Sequence, residues 1–317
     1  MANPIRIRAV YKVVDGQEID TDIYLPHQDD THSLHPVLIN IHGGAFMLGS
    51  SEMVNPDQIS DCLARGWIVV VPNHRLCPGV NVLEGPMQDC RDLLSWIYDG
   101  SLQKAIPDTN VDVDCDHVFA FGTSSGGHLA LSLGFGVDRP VAGIYDMYGP
   151  CNFSHPFWTT PLPYVPHPDS LSKEIIDQVY GEKPVPIRGG VSLEGQRTAP
   201  GPPDMSDPRQ AFAFSQISGG TVLKAIYPSE EYDQVDPLKN IDGKFPPTYI
   251  VHGQDDKMVP IDLSRDLLEE LKRKGVKCDM TEIPGEGHTF AARMKAGSRT
   301  WELQRLGFDF LESLIER

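Results

Sequence analysis

The chain has 317 residues, 40% of them hydrophobic and 22% charged, proportions that suit a globular protein with a substantial core and exclude global disorder. Its formal net charge of −17 would repel a phosphate backbone or an anionic membrane surface, so neither nucleic acid nor membrane is an expected partner. The N-terminus carries no apolar leader, no stretch approaches the length of a membrane span, and the six cysteines show neither a C-x-x-C pair nor metal-ligand spacing; the expectation is a cytoplasmic chain with free thiols, no metal and no cofactor.

Taken in order, residues 5–14 and 18–25 alternate apolar and polar side chains around Asp15-Gly16, the pattern of a hairpin of edge strands with one exposed face. A polar loop over 27–35 leads to Val37-Leu38-Ile39-Asn40-Ile41, a β-branched run suited to a buried parallel strand. It ends in His42-Gly43-Gly44-Ala45-Phe46, where paired glycines mark backbone that a ligand can approach and amides that can face a developing negative charge. Asn55-Pro56 predicts a helix N-terminus, with that helix running to Gly66 before a strand over 67–71. Pro86 opens a second helix on which Cys90, Leu93, Leu94 and Ile97 share a face.

The next strand, Val118-Phe119-Ala120-Phe121, breaks into Gly122-Thr123-Ser124-Ser125-Gly126-Gly127 and resumes as the helical run His128-Leu129-Ala130-Leu131. Glycines two before and two after a serine allow a turn tight enough to present Ser124 Oγ at its tip. The spacing G-x-S-x-G recurs by chance in roughly one chain in ten of this length, so the strand before and the helix after it carry the weight. Residues 141–147 form another strand. Strands alternating with helices predict an α/β fold: a mainly parallel central sheet with helices on both faces, its sites outside the carboxyl ends of the strands.

From 151 to 245 the alternation fails and Pro, Gly and aromatics accumulate. We read 1–317 as a single domain with 151–245 inserted as a cap, placed to roof a substrate pocket with Phe46, Phe157 and Trp158. Two helices are expected within it, over 171–180 and over 208–217 with Asp207 as cap. The sheet resumes over 248–251 and leads into His252-Gly253-Gln254-Asp255-Asp256; a helix with Leu263, Leu267, Leu268 and Leu271 on one face follows, then a strand over 278–283, the loop Gly285-Glu286-Gly287-His288, and a last helix over 301–315.

Acyl transfer by a serine requires a base for its proton, an acid to orient that base and amides for the oxyanion. His288 and Asp256 follow successive strands in the order Ser, Asp, His that such a sheet demands, with Asp255 as the alternative acid. His42 and His128 read as structural.

These motifs resemble the α/β-hydrolases, and within them the hormone-sensitive-lipase-like esterases of α/β-hydrolase fold-3. The likeness spans nearly the whole chain and rests on His42-Gly43-Gly44-Ala45, on residues 122–127, on His252-Gly253-x-x-Asp256-x-x-Val259, on His288, and on Arg75-Leu76-Cys77-Pro78 with Pro86 and Asp89. Thr123, Ala45 and Gly79 depart from the family pattern. The resemblance implies Ser124 as nucleophile, His288 as base then acid, Asp256 as orienting acid, and the amides of Gly43, Gly44 and Ser125 as oxyanion hole. It implies a serine esterase acting on a carboxylic ester, lactone or thioester. A looser similarity to fungal hydrolases of polyketide and peptide natural-product pathways points to secondary metabolite biosynthesis, with a small-molecule acyl substrate that is free or borne on a carrier protein.

Two other readings stand beside hydrolysis. The same pocket could act as a cyclase or lyase with His288 as base, in which case Ser124→Ala would keep substantial turnover. It could also be a binding protein, against which the intact triad argues. No propeller-sized segment precedes the sheet, which disfavours a peptidase resembling the prolyl oligopeptidases.

Overall fold

Asp15 and Gly16 both take left-handed backbone, φ 49° and 80°, the two-residue turn whose twist matches that of flanking antiparallel strands. It joins β1 (Ile5–Val14) to β2 (Gln17–Leu25), paired antiparallel with a bulge between Val10 and Lys12. The computed structural model describes residues 5–26, 33–106, 110–190 and 204–315. After the hairpin come β3 (Ser33–Ile41), α1 (Pro56–Ala64), β4 (Ile68–Pro72), α2 (Gln88–Tyr98), α3 (Ser101–Ala105), β5 (Val111–Thr123), α4 (Ser125–Leu131) and β6 (Gly143–Met147). The chain continues through α5 (Lys173–Gly181), α6 (Pro208–Gly219), α7 (Val222–Ile226), α8 (Pro237–Asn240), β7 (Thr248–Gly253), α9 (Ile261–Arg273), β8 (Cys278–Ile283) and α10 (Arg299–Glu312).

The eight strands form one sheet in the order β1-β2-β4-β3-β5-β6-β7-β8. From β4 to β8 every pairing is parallel, with β2 joining antiparallel to β4. Side chains alternate across it: Val37, Ile39 and Ile41 pack with Leu93 and Ile97 of α2, Leu129 of α4 and Leu263 and Leu267 of α9, while Leu38, Val69, Val71, Phe119 and Phe121 pack with Ile59 of α1 and Trp301, Phe308 and Leu311 of α10. A strand buried on both faces has no polar alternation to show, which is why these runs read as continuous apolar sequence. Gly307 lets α10 lie directly on the ring of Tyr145, since a Cβ there would stand 2.5 Å from Cζ. Among the described residues no helix is long and apolar enough to cross a membrane.

The structure corrects several boundaries. Of the two hairpin strands, both expected at an edge, β1 is at one and β2 is interior, and its polar Asp22 is buried because Arg6, Arg8 and Ser51 satisfy the carboxylate. Residues 27–32 of the expected polar loop lie outside the described residues, while residues 33–36 extend β3 and pair with residues 111–114. That pairing lengthens β5 back to Val111, ahead of the expected start at Val118. Pro86 lies inside a π-helical turn (Leu83–Met87) ahead of α2, instead of opening it. Asn55 caps α1, Ser172 caps α5 and Asp207 caps α6, each with its side-chain oxygen accepting a backbone N–H, as their residue types favour.

Candidate active site

The sharp turn between β5 and α4 holds Ser124 at φ 52°, ψ −127°, with its N–H donating to the Met147 carbonyl at 2.9 Å and its carbonyl accepting from Gly127 N at 2.8 Å. The flanking glycines are there for space. A Cβ on Gly122 would lie 2.1 Å from Gly126 O, and one on Gly126 would lie 2.1 Å from Ile41 O. The strand, the turn and the neighbouring strand β3 approach too closely for any side chain, and that approach lifts Ser124 out of the sheet.

Loops after β7 and β8 bring two further residues to it. His288 Nε2 lies 2.9 Å from Ser124 Oγ, and His288 Nδ1 lies 2.6 Å from Asp256 Oδ2. Asp256 is buried, and its Oδ1 accepts from the amides of Met258 and Val259 at 2.8 and 2.9 Å. Its Oδ2 also faces His252 Nε2 at 3.1 Å, while His252 Nδ1 meets Ser264 Oγ at 2.7 Å. Burial by itself would raise the Asp256 carboxyl, but the charge of His288 and the hydrogen bonds from both histidines outweigh it and hold the group well below the usual carboxylate range. The edge of Tyr148, with ring centroids 4.9 Å apart, backs the His288 imidazole. Asp255 is exposed, its amide bonded to Glu286 O.

The loop after β3 closes the other side. Gly44, at φ 127°, could bear no side chain, since a Cβ would stand 2.2 Å from Leu48 O. Ala45 and Phe46 follow at φ 53° and 64°, left-handed conformations that cost about 1–2 kcal/mol each for residues with a Cβ. Gly44, Ala45, Ser125, Ser124 and His288 all line one cavity of about 60 Å³. Gly43 does not line it. The chain turns at Gly44, so Ala45 stands on the wall where Gly43 was expected, and the Gly43 carbonyl instead accepts from His42 Nδ1 at 2.8 Å. Ser125 opens α4, so its amide has no intrahelical acceptor.

The remaining wall is apolar. Phe46, Phe157 and Trp158 line it; Phe153, Leu162, Ile217 and Leu223 join them without having been singled out, since only tertiary packing turns them inward. No Lys, Arg, Asp or Glu stands among the described lining residues. Trp158 is anchored by Nε1 donating to the Cys151 and Asn152 carbonyls at 3.1 and 3.0 Å.

Behind the site lie three buried histidines. His42 stacks on His74 with centroids 4.5 Å apart and planes 11° from parallel, and His128 stacks on Phe153 and donates from Nδ1 to Pro150 O at 3.0 Å. Burial, with His74 adding, pulls His42 down to about 3; burial pulls His74 and His128 down to about 4. All three rings are neutral and structural at neutral pH.

An alcohol hydrogen-bonded to an imidazole, itself hydrogen-bonded to a buried carboxylate, beside the first amide of a helix and in a largely apolar cavity, is equipped for acyl transfer.

Comparison with known proteins bears on the same regions. A family model described as BD-FAE matches residues 21–160, and the model of the prolyl oligopeptidase family matches residues 205–316. Among curated proteins the chain is similar to the non-reducing polyketide synthases Preu6 of Preussia isomera, 30% identical over 95% of this chain and 14% of that protein, and ascC of Acremonium egyptiacum, 29% identical over 97% and 15%. It therefore spans about one seventh of the curated relatives it matches. Among solved structures, Thermogutta terrifontis esterase 2 phosphonylated by sarin superposes with a TM-score of 0.64 at 18% identity, covering 98% of this chain and 95% of that one. A truncated carbohydrate esterase from gut microbiota gives a TM-score of 0.62 at 17% identity, over 97% and 95%. At those identities the likeness is one of fold.

Proposed function

We propose that the chain belongs to the α/β-hydrolase superfamily and is a serine hydrolase that cleaves a carboxylic ester or thioester through an acyl-enzyme; the family-model matches over residues 21–160 and 205–316 and the esterase-like fold support this reading. The observation that carries this reading is the unbroken hydrogen-bond chain from Ser124 through His288 to Asp256 at the base of an apolar cavity.

In this reading His288 Nε2 accepts the Ser124 proton as Oγ bonds to the acyl carbon. The carbonyl oxygen takes the displaced electron pair and is held by the amides of Ser125, Gly44 and Ala45. Collapse of the tetrahedral adduct expels the alcohol or thiol, which takes the proton from His288. Water then repeats the sequence and releases the acid and free Ser124. Asp256 fixes the imidazole tautomer and stabilises the imidazolium.

The lining and volume favour a small, apolar acyl group. A cavity of about 60 Å³ admits a handful of non-hydrogen atoms, given that about 10–15 Å³ of such space holds one water, and a wall whose described residues carry no charge favours an uncharged, apolar acyl chain. Segment 151–245 acts as the cap, through Phe153, Phe157, Trp158, Leu162 and Ile217. The similarity to polyketide synthases supports an acyl group of natural-product origin, delivered as a small ester or as a carrier-bound thioester.

The test is intact mass after a small fluorophosphonate, with p-nitrophenyl acetate turnover on the same samples; the related esterase captured with organophosphonates makes this probe appropriate. We expect one adduct on Ser124 and ester turnover, both abolished in Ser124→Ala. Turnover that persists in Ser124→Ala would transfer the assignment to a reaction in which His288 alone is the base.

A further inference from the structure

Residues 43–48 carry three successive positive φ angles, at Gly44, Ala45 and Phe46. Two of those residues have a Cβ, so the conformation is imposed by surrounding groups and not by local preference. Within the loop, Gly44 O accepts from Met47 N at 3.0 Å and from Leu48 N at 2.9 Å. From outside, Phe46 O accepts from Cys77 N at 2.9 Å, and Gly49 exchanges backbone bonds of 2.8 and 3.2 Å with Gly189. The Met47 carbonyl is taken by a side chain from the inserted segment. Arg209 of α6, buried to 4% exposure, donates from one guanidinium nitrogen to Met47 O at 2.8 Å and to Cys77 O at 2.7 Å, and from the other to Glu182.

We propose that Arg209 is a positioning residue for the oxyanion loop, through which the inserted segment sets how residues 44 and 45 present their amides to Ser124. The proposal rests on Ser124 being the nucleophile. A guanidinium is a rigid planar fork; it spans two carbonyls that belong to different loops and anchors the pair to a carboxylate on the cap. Oxyanion donors act only when they lie about 2.7–3.1 Å from the position that the charged oxygen will occupy. A loop released by a few tenths of an ångström would therefore lose transition-state stabilisation while the apolar wall that binds the ground state stays intact.

Arg209→Met and Arg209→Lys should be compared with wild type by kcat and KM on p-nitrophenyl acetate, by inhibition with an alkyl trifluoromethyl ketone, and by hydrogen exchange at the Met47 and Leu48 amides. For Arg209→Met we expect kcat to fall on the order of 10²–10³-fold, KM to stay within about threefold, ketone affinity to fall in proportion to kcat/KM, and both amides to exchange faster. Lysine, with one ammonium unable to hold both carbonyls and Glu182 in the same plane, should give an intermediate loss. If methionine prevents folding, the lysine variant decides. A folded variant with wild-type kcat, or one whose loss lies in KM alone, overturns the proposal. Should wild type show neither Ser124 labelling nor turnover, the hydrolase reading fails, and the exchange experiment still judges the tether: unchanged protection at Met47 and Leu48 would dismiss it.

Discussion

His288 Nε2 stands 2.9 Å from Ser124 Oγ although 164 residues of chain separate them. The contact exists because β5 and β8 end at the same edge of one parallel sheet, with β6 and β7 between them, and a parallel sheet delivers all its strand-end loops to one side. Asp256, after β7, arrives there by the same route.

Asp256→Asn tests how that contact is oriented. The amide keeps the shape but presents a donor or a weaker acceptor to Nδ1, favouring the wrong imidazole tautomer. Ester turnover should drop on the order of 10⁴-fold in kcat, with Asp255→Asn, at an exposed position, close to wild type. Comparable losses in both variants would remove Asp256 from its assigned role.

Acyl-chain selectivity should follow the cavity. Across p-nitrophenyl esters from acetate to decanoate, kcat/KM should peak at short chains, because about 60 Å³ leaves no room for a long one. Ile217→Ala, which removes a wall residue of α6, should move the optimum to longer chains. An optimum at decanoate in the wild type would contradict a preformed small pocket.

The stacked histidines make an acid-side prediction. His42 and His74 are neutral when folded, with values near 3 and 4, against about 6.5 in the unfolded chain. A lowered folded value means that the unfolded state binds more protons below about pH 6.5, so stability falls as pH drops from there toward 4. Asp256, with both its values below that window, contributes nothing to the slope above about pH 5. His74→Phe preserves the ring stack and removes one titrating group. Its urea midpoint should decline less than that of wild type between pH 7 and pH 5; parallel declines would exclude His74 as a source.

Asp146 runs the opposite way. It is fully buried under the Ser124 turn, one oxygen accepting from Gly149 N at 3.0 Å, and burial pushes its carboxyl up to about 7. A raised folded value gives stability that is present below the unfolded value near 4 and is lost as pH rises through 7. Asp146→Asn, which keeps the acceptor and cannot ionise, should gain on wild type at pH 8 relative to pH 5 in the same urea measurement. A stability difference independent of pH would show that Asp146 does not titrate between those limits.

Local pattern in the sequence was enough to determine the hairpin at Asp15-Gly16, the β-branched buried strands, the caps at Asn55 and Asp207, and the glycine-flanked turn at Ser124, since each depends on conformational preferences and periodicities expressed within a few residues. The order Ser124, Asp256, His288 was likewise legible as three loops after strands. Tertiary structure decided what depends on partners distant in sequence. Polar β2 became interior because arginines from β1 satisfy Asp22, and the aspartate-rich start of β5 became strand because β3 lay ready to pair with it. Ala45 displaced Gly43 from the cavity wall because the left-handed turn at Gly44 redirects the chain. Arg209 gave no sign of importance in an aromatic, proline-rich segment; its role appears only where folding brings the carbonyls of Met47 and Cys77 within reach of one guanidinium. Propensity acts along the chain, whereas burial and hydrogen-bond satisfaction are settled between elements, and the site was assembled by the second.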